Sequence, residues 1–230
     1  MTLPYDMSDV RGPRRGWYPR FGKRALDLLL GGLALVVLSP LLAIIALAIK
    51  LEDGGPVFYR QERIGRGGRP FPLTKFRSMC VGAEKMGAGI LVESNDRRIT
   101  RVGKLIRKLS LDELPQLLNV LRGDMSLVGP RPGLRYQAEL YDEHQRRRLT
   151  VRPGITGWTQ VNGRNAIRWP ERIRRDVEYV DSVSLARDLS IMLRTLPAVL
   201  TGSDQIADAD YWKQRREQLE REGRVSEPGR

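Results

Sequence analysis

The densest chemical constellation in the chain is Ser110-Leu-Asp112-Glu113-Leu-Pro115-Gln116, followed by GDMSLVGPRP at 123–132. Two adjacent carboxylates at the start of a helix offer two kinds of chemistry. An ionised Asp112 at a helix N-terminus sits where a phosphate also binds, so it could hold a divalent metal through oxygen or attack a phosphorus centre. Successive helical residues point about 100° apart, so Asp112 and Glu113 face two sides of one pocket and do not share a proton. Arg107, five residues upstream, and Arg131, held between two prolines, supply the guanidinium groups that phosphate recognition favours. A purely structural reading stands beside this one. Ser110 and Glu113 have the S-x-x-E spacing of a capping box, and Asp112 in the first turn suits the helix dipole.

Few other residues compete for a chemical role. His144 is the only histidine and lies among charges on a helix, so it reads as a solvated surface residue and leaves little room for a histidine triad or zinc site. Cys80 is alone, so neither a disulfide within the chain nor a cysteine cluster is available, and a reducing compartment is expected. GRGGR (65–69) lacks Walker spacing and reads as a hairpin turn with basic tips.

The elements that position these residues follow from periodicity. Residues 56–64 and 70–79 read as two strands around that glycine turn. Residues 82–97 are Gly-rich and polar, a linker or lid. Ile99, Val102, Leu105, Ile106 and Leu109 recur at helical spacing, with Arg101, Lys104, Arg107 and Lys108 on other faces. Helices are expected over 110–121, 134–149, 170–181 and 185–200, with turns at RPGITG and VNGRN. Residues 203–230 read as a charged surface helix and frayed tail.

Composition bounds the class. The 230 residues are 41% hydrophobic and 29% charged, which is globular usage and excludes a multi-span transporter. The net charge of +13 suits partners that carry phosphate: nucleic acid, anionic lipid or a phosphorylated substrate. One segment departs from the soluble pattern. Leu28–Ile49 is a run of 22 residues without a charge, and as a helix would be roughly 33 Å long, close to the thickness of bilayer hydrocarbon. Arg11, Arg14, Arg15, Arg20, Lys23 and Arg24 precede it and keep the N-terminus cytoplasmic. Pro40 deletes a helical hydrogen bond mid-run, and Ser39 can bond back to the freed carbonyl. The segment alone permits either a kinked spanning helix or a bend returning the chain to its side of entry. Asp27, at the edge of the run, is expected to pair with Lys23 or Arg24 at head-group level.

Five motifs in order, KRxxD (23–27), Ser39-Pro40, PVF with QERIG and KFRSM (56–79), SLDELPQLLNVLRGDMSLVGPRP (110–132) and RPGITGWTQVNGRN (152–165), resemble the bacterial sugar transferases over about residues 21–200. Within that family they are similar to the small monotopic phosphoglycosyl transferases that begin glycan assembly on polyprenol phosphate. GRNA (163–166), Trp169 and DVEYVDSVSLARDLSIM (176–192) resemble the protein-glycosylation branch, which uses amino-sugar nucleotides.

The resemblance implies an α+β fold, mainly helical with a small β-hairpin, and a re-entrant membrane helix kinked at Ser39-Pro40 with Lys23, Arg24 and Asp27 at its entry. It implies a basic arm (1–20), a membrane helix (21–50), a catalytic domain (51–202) and a charged helix and tail (203–230). Asp112 matches the nucleophile that attacks the β-phosphorus of a UDP-sugar and expels UMP, and also a Mg2+ contact. Glu113 matches the residue that assists deprotonation or positioning of the polyprenol phosphate. Arg107 and Arg131 match phosphate-site arginines. The implied partners are a UDP-sugar, polyprenol phosphate and anionic membrane lipid at the cytoplasmic face of the bacterial inner membrane, and no nucleic acid. A different class, a membrane-tethered helix-turn-helix regulator built on Ile99–Leu121 or a scaffold, is the competing reading.

Overall fold

The structure is a computed structural model that describes residues 3, 5–14, 16–86, 96–163, 167–201 and 209–222. After a π-type turn over Tyr18–Gly22, the apolar run forms one helix, α1, Lys23–Asp53. It continues as a single element through Pro40. The carbonyl that Pro40 cannot satisfy is that of Val36, and Ser39 Oγ donates to it at 2.8 Å.

Both ends of α1 are fastened to the same body. At its start, Lys23 Nζ pairs with Asp188 at 2.6 Å. Arg24 donates to the carbonyls of Val120 (2.6 Å) and Leu121 (3.0 Å). Asp27 is 2% exposed and accepts from Ser126 Oγ and the Leu127 N–H, both at 2.9 Å. The expected Asp27 pairing with Lys23 or Arg24 is therefore replaced, because each of the three finds a buried partner on the domain. At the far end, Ile45 and Ile49 pack with Phe76 and Ile106. There Glu52 accepts from the Arg101 and Val102 N–H groups, and Asp53 pairs with Arg77. Away from these contacts α1 exposes Leu29, Leu33, Val36, Val37, Ile44 and Leu47.

The two predicted strands are β1 (Phe58–Ile64) and β2 (Pro70–Phe76), antiparallel from Phe58 opposite Phe76 to Ile64 opposite Pro70. Their turn needs glycine at Gly67, where φ is 68°, and GRGGR is a hairpin turn as read. α2 (Arg101–Lys108) is capped by Thr100 Oγ1 on the Gly103 N–H. A methyl at Gly103 would lie 2.0 Å from the Ser78 carbonyl oxygen. Gly103→Ala is therefore expected to cost about 3 kcal/mol, as overpacking against immobile backbone does, lowering the melting temperature in a thermal scan.

The helix expected over 110–121 divides into a 3-10 turn, Leu111–Glu113, and α3, Gln116–Arg122. The single helix expected over 134–149 divides into α4 (Arg135–Glu139) and α5 (Glu143–Arg146), because Asp142 starts a new helix by capping the Gln145 N–H at 2.9 Å. A parallel pair, β3 (Ser126–Val128) and β4 (Gly154–Thr156), was not anticipated; three-residue strands carry no readable alternation. α6 (Trp158–Val161), α7 (Trp169–Asp181) and α8 (Leu185–Thr201) complete the domain, the last two close to their expected bounds. α8 exposes Leu185, Leu189, Leu193 and Leu196 along one face.

The described residues nearest each end of the chain lie on the domain. α9 (Ala209–Arg221), expected as a surface helix, buries Trp212 and Leu219 against Ile64, Tyr141 and Ile173. The segment expected as a basic arm packs Leu3, Tyr5 and Met7 on the same cluster, and Tyr5 donates to the Ala138 carbonyl at 2.6 Å. Residues 87–95 of the expected lid, 164–166 of GRNA and the tail from 223 lie outside the described residues.

Candidate active site

α2 delivers the chain to Ser110, whose φ of 55° makes it the only non-glycine residue in the left-handed region among the described residues. Such a backbone costs a kcal/mol or so and marks a site worth that cost. The reversal prevents the capping box. Ser110 caps nothing with its side chain, and the Glu113 side chain turns to other partners. Pro115 then opens α3, where its missing N–H is harmless.

Glu113 accepts from both terminal nitrogens of Arg131, Nη1 to Oε2 at 2.9 Å and Nη2 to Oε1, and from Lys75 Nζ at 3.0 Å. Burial alone would raise its carboxyl, but Arg131 and Lys75 together outweigh burial and hold it well below the usual range. Asp112 is 8% exposed and makes no hydrogen bond or ion pair among the described residues. Burial pushes its carboxyl up, the Glu113 charge adds to that, and Lys75, Arg107 and Arg131 oppose it. Neighbouring carboxylates driven in opposite directions have different jobs. Glu113 is a fixed anion that orders two cations. Asp112 is an uncommitted oxygen nucleophile or ligand among them.

The structure thus brings together Asp112, Glu113 and Arg131, with Arg107 close enough to act on Asp112 and its guanidinium donating to Ser78 Oγ at 3.5 Å. Lys23, Arg24, Asp27, Ser39 and Pro40 are not in this site; they belong to α1 and its anchors. Lys75 was missed. The signal was present, since it alternates with Leu73 and Phe71 on the inner face of β2, where a lysine needs a partner. The helix-turn-helix reading fails on geometry: Gln116, Leu117, Asn119 and Val120 of its would-be recognition helix are buried.

The loop that presents Arg131 is held along its backbone. The carbonyl of Pro130 accepts from the Gly154 N–H, that of Arg131 from Arg148 Nη2 at 2.8 Å, that of Pro132 from Arg63 Nη1 at 3.2 Å, and that of Gly133 from the Ile64 N–H. Arg148 is buried, and its charge is matched by Asp176 on α7 at 2.6 Å, which also accepts from Thr159 Oγ1 at 2.7 Å.

Among the described residues no three acidic, histidine or cysteine side chains cluster as a metal cage. One free carboxylate is nevertheless what a Mg2+ ion that arrives with a diphosphate requires, because that ion keeps waters and substrate phosphates as its other ligands. Asp112 fits that role; Glu113, with its oxygens given to cations, does not.

The site is thus a buried carboxylate among arginine and lysine side chains at a helix junction, on a domain bound along one long apolar helix. The chain matches the family model described as bacterial sugar transferase over residues 18–202, and it belongs to that family. It is similar to the uncharacterized sugar transferase EpsL of Bacillus subtilis, 49% identical over 178 residues, covering 77% of this chain and 87% of the relative. It is 46% identical to the UDP-glucose:undecaprenyl-phosphate glucose-1-phosphate transferase of Caulobacter vibrioides, over 78% of this chain and 70% of the relative. It is also 46% identical to the UDP-N-acetylgalactosamine-undecaprenyl-phosphate N-acetylgalactosaminephosphotransferase of Aeromonas hydrophila, covering 79% of this chain but 44% of that longer protein.

Proposed function

We propose that this protein transfers a phosphosugar from a UDP-sugar to polyprenol phosphate, giving polyprenyl-diphosphate-sugar and UMP. The observation that carries the reading is the uncommitted Asp112 carboxylate beside Lys75, Arg107 and Arg131. An Asp112 oxygen attacks the β-phosphorus, the bond to the bridging oxygen breaks, and UMP departs with the electron pair. An oxygen of the polyprenol phosphate then attacks the same phosphorus and returns Asp112 to the carboxylate. Arg131 and Lys75, oriented by Glu113, hold the phosphates as charge moves. Glu113 serves by positioning, since its ion pairs leave it a poor base. A bound Mg2+ ion, held by Asp112, would offset the repulsion between carboxylate and diphosphate.

A place at the cytoplasmic face of the membrane, with α1 not carrying the chain across, is supported by the way both ends of that helix hold one domain. The exposed leucines and valines of α1, with the leucine row of α8, face lipid, and the surplus of Lys and Arg meets anionic head groups. An apolar cavity of about 220 Å3 between α1, the hairpin and α3, lined by Leu35, Leu42, Phe58, Phe76, Pro115 and Leu118, suits the isoprenoid chain. The names of the relatives divide among N-acetylgalactosamine, glucose and galactose. The amino sugar implied by the GRNA motif therefore stands as one member of a panel.

The test is UMP release by protein in nanodiscs with Mg2+, polyprenol phosphate and UDP-sugars including N-acetylated amino sugars, glucose and galactose. Metal-dependent UMP with one sugar preferred is expected. Folded protein that releases none from any sugar would overturn the reading.

A further inference from the structure

Arg63 on β1 has no role in the mechanism above, yet its surroundings are those of a ligand site. It has no carboxylate within ion-pair reach among the described residues. Its Nε and Nη2 donate to Gln61 Oε1 at 3.1 and 2.6 Å, and Nη1 donates to the Pro132 carbonyl at 3.2 Å. Three of its five N–H donors are thereby committed to holding the guanidinium still. The two that remain, one on each terminal nitrogen, are available to the oxygens of a phosphate. Burial, with Arg131 beside it, pushes its pKa down to about 10, so a neighbouring anion would be welcome. Around the site stand Arg63, Lys75, Arg107 and Arg131 against two carboxylates, a surplus that suits a dianion.

The strand also sets which phosphate. β1 starts at Phe58, in the apolar cavity against α1, and passes Tyr59, whose cross-strand partner is Lys75. Arg63 lies five residues beyond Phe58, about 17 Å along the strand away from the lipid-facing end. Lys75 holds Glu113, and Glu113 holds Arg131, whose neighbour Pro132 gives its carbonyl to Arg63. The lipid phosphate approaches from the cavity, so the far end belongs to the nucleotide.

We propose that Arg63 binds the α-phosphate of the UDP-sugar, the group that leaves as UMP. The inference rests on the phosphosugar-transfer reading. When Asp112 attacks the β-phosphorus and the β-phosphorus–oxygen bond breaks, the charge that accumulates on the departing phosphate lies against the two free N–H groups of Arg63. Arg63 therefore acts in the nucleotide half of the reaction and not in the lipid half.

The two halves can be measured apart. Single-turnover UMP release from the UDP-sugar, without acceptor, reads the first. Release of polyprenol phosphate from polyprenyl-diphosphate-sugar, without UMP, reads the second in reverse. Arg63→Gln is expected to slow the first about 100-fold, as loss of one charge-stabilising donor does, and to weaken UMP binding about tenfold, while changing the second less than threefold. Arg63→Lys keeps the charge without the guanidinium and should fall between, with both variants compared by thermal melting. Equal slowing of both halves, or UMP release and UMP affinity within twofold of wild type in either variant, would overturn the inference. Wild-type protein that releases no UMP would instead overturn the underlying reading, and this inference with it.

Discussion

Asp112→Asn is expected to release no measurable UMP, a loss of about 10^3-fold or more, because an amide has neither the charge nor the nucleophilic oxygen of the carboxylate. The substitution is a sharp probe because Asp112 holds nothing in place: it makes no hydrogen bond or ion pair among the described residues, while Glu113 keeps Arg131 and Lys75 ordered. The stability effect has the opposite sign. Burial raises the Asp112 carboxyl in the folded state, so ionised Asp112 disfavours folding above its folded pKa and has no such effect below the unfolded value. In metal-free buffer the variant should melt at or above the wild-type temperature at neutral pH, with the difference vanishing as pH falls below about 4. Melting curves across pH, beside UMP release and nanodisc binding, check both halves. Appreciable UMP from the variant would remove Asp112 as nucleophile, and a much lower melting temperature would show that it bears structure instead.

The second large effect is expected at Asp176. Arg148 and Asp176 are each 3% exposed at the side chain, so Asp176→Ala leaves a guanidinium buried without its counter-charge. Breaking such a pair costs about 3–5 kcal/mol, or roughly 6–20 °C in melting temperature for a domain of this size. Glu171→Ala provides the comparison. Its partners Arg174 and Arg175 are 61% and 28% exposed at the side chain, so neither is left buried without a counter-charge and the variant should lose far less in melting temperature than Asp176→Ala does. Because Arg148 also holds the Arg131 carbonyl, activity in Asp176→Ala should fall even at temperatures where the protein remains folded.

Where one signal dominated, the elements were legible in advance. The hairpin followed from alternation around GRGGR, α7 and α8 from apolar spacing, and α1 from its uncharged run. Ser39 was rightly assigned to the carbonyl freed by Pro40. The reading was less successful where local and tertiary preferences disagree. SLDELPQ has the letters of a capping box, yet the strained Ser110 and the pull of Arg131 and Lys75 on Glu113 turn it into a 3-10 turn. Tertiary partners are invisible to spacing rules, and the same reason hid the destinations of Lys23, Arg24 and Asp27. Lys75 is the instructive omission: it was quoted in a motif, but its place on the inner face of a strand was not followed to a partner. Arg148 and Asp176, distant in sequence, gave no local signal at all.

The anchoring of α1 also bears on how the molecule is made. Ile45 and Ile49 are part of the same cluster as Phe76 and Ile106, and Asp27 satisfies groups at the start of β3. A chain shortened to begin after residue 50 would uncover that cluster and lose the Lys23, Arg24 and Asp27 anchors while keeping Glu52 and Asp53, and is expected to melt well below the whole chain. One helix thus serves two sides at once: its inner side completes the core of the domain, and its outer side stays apolar and uncovered.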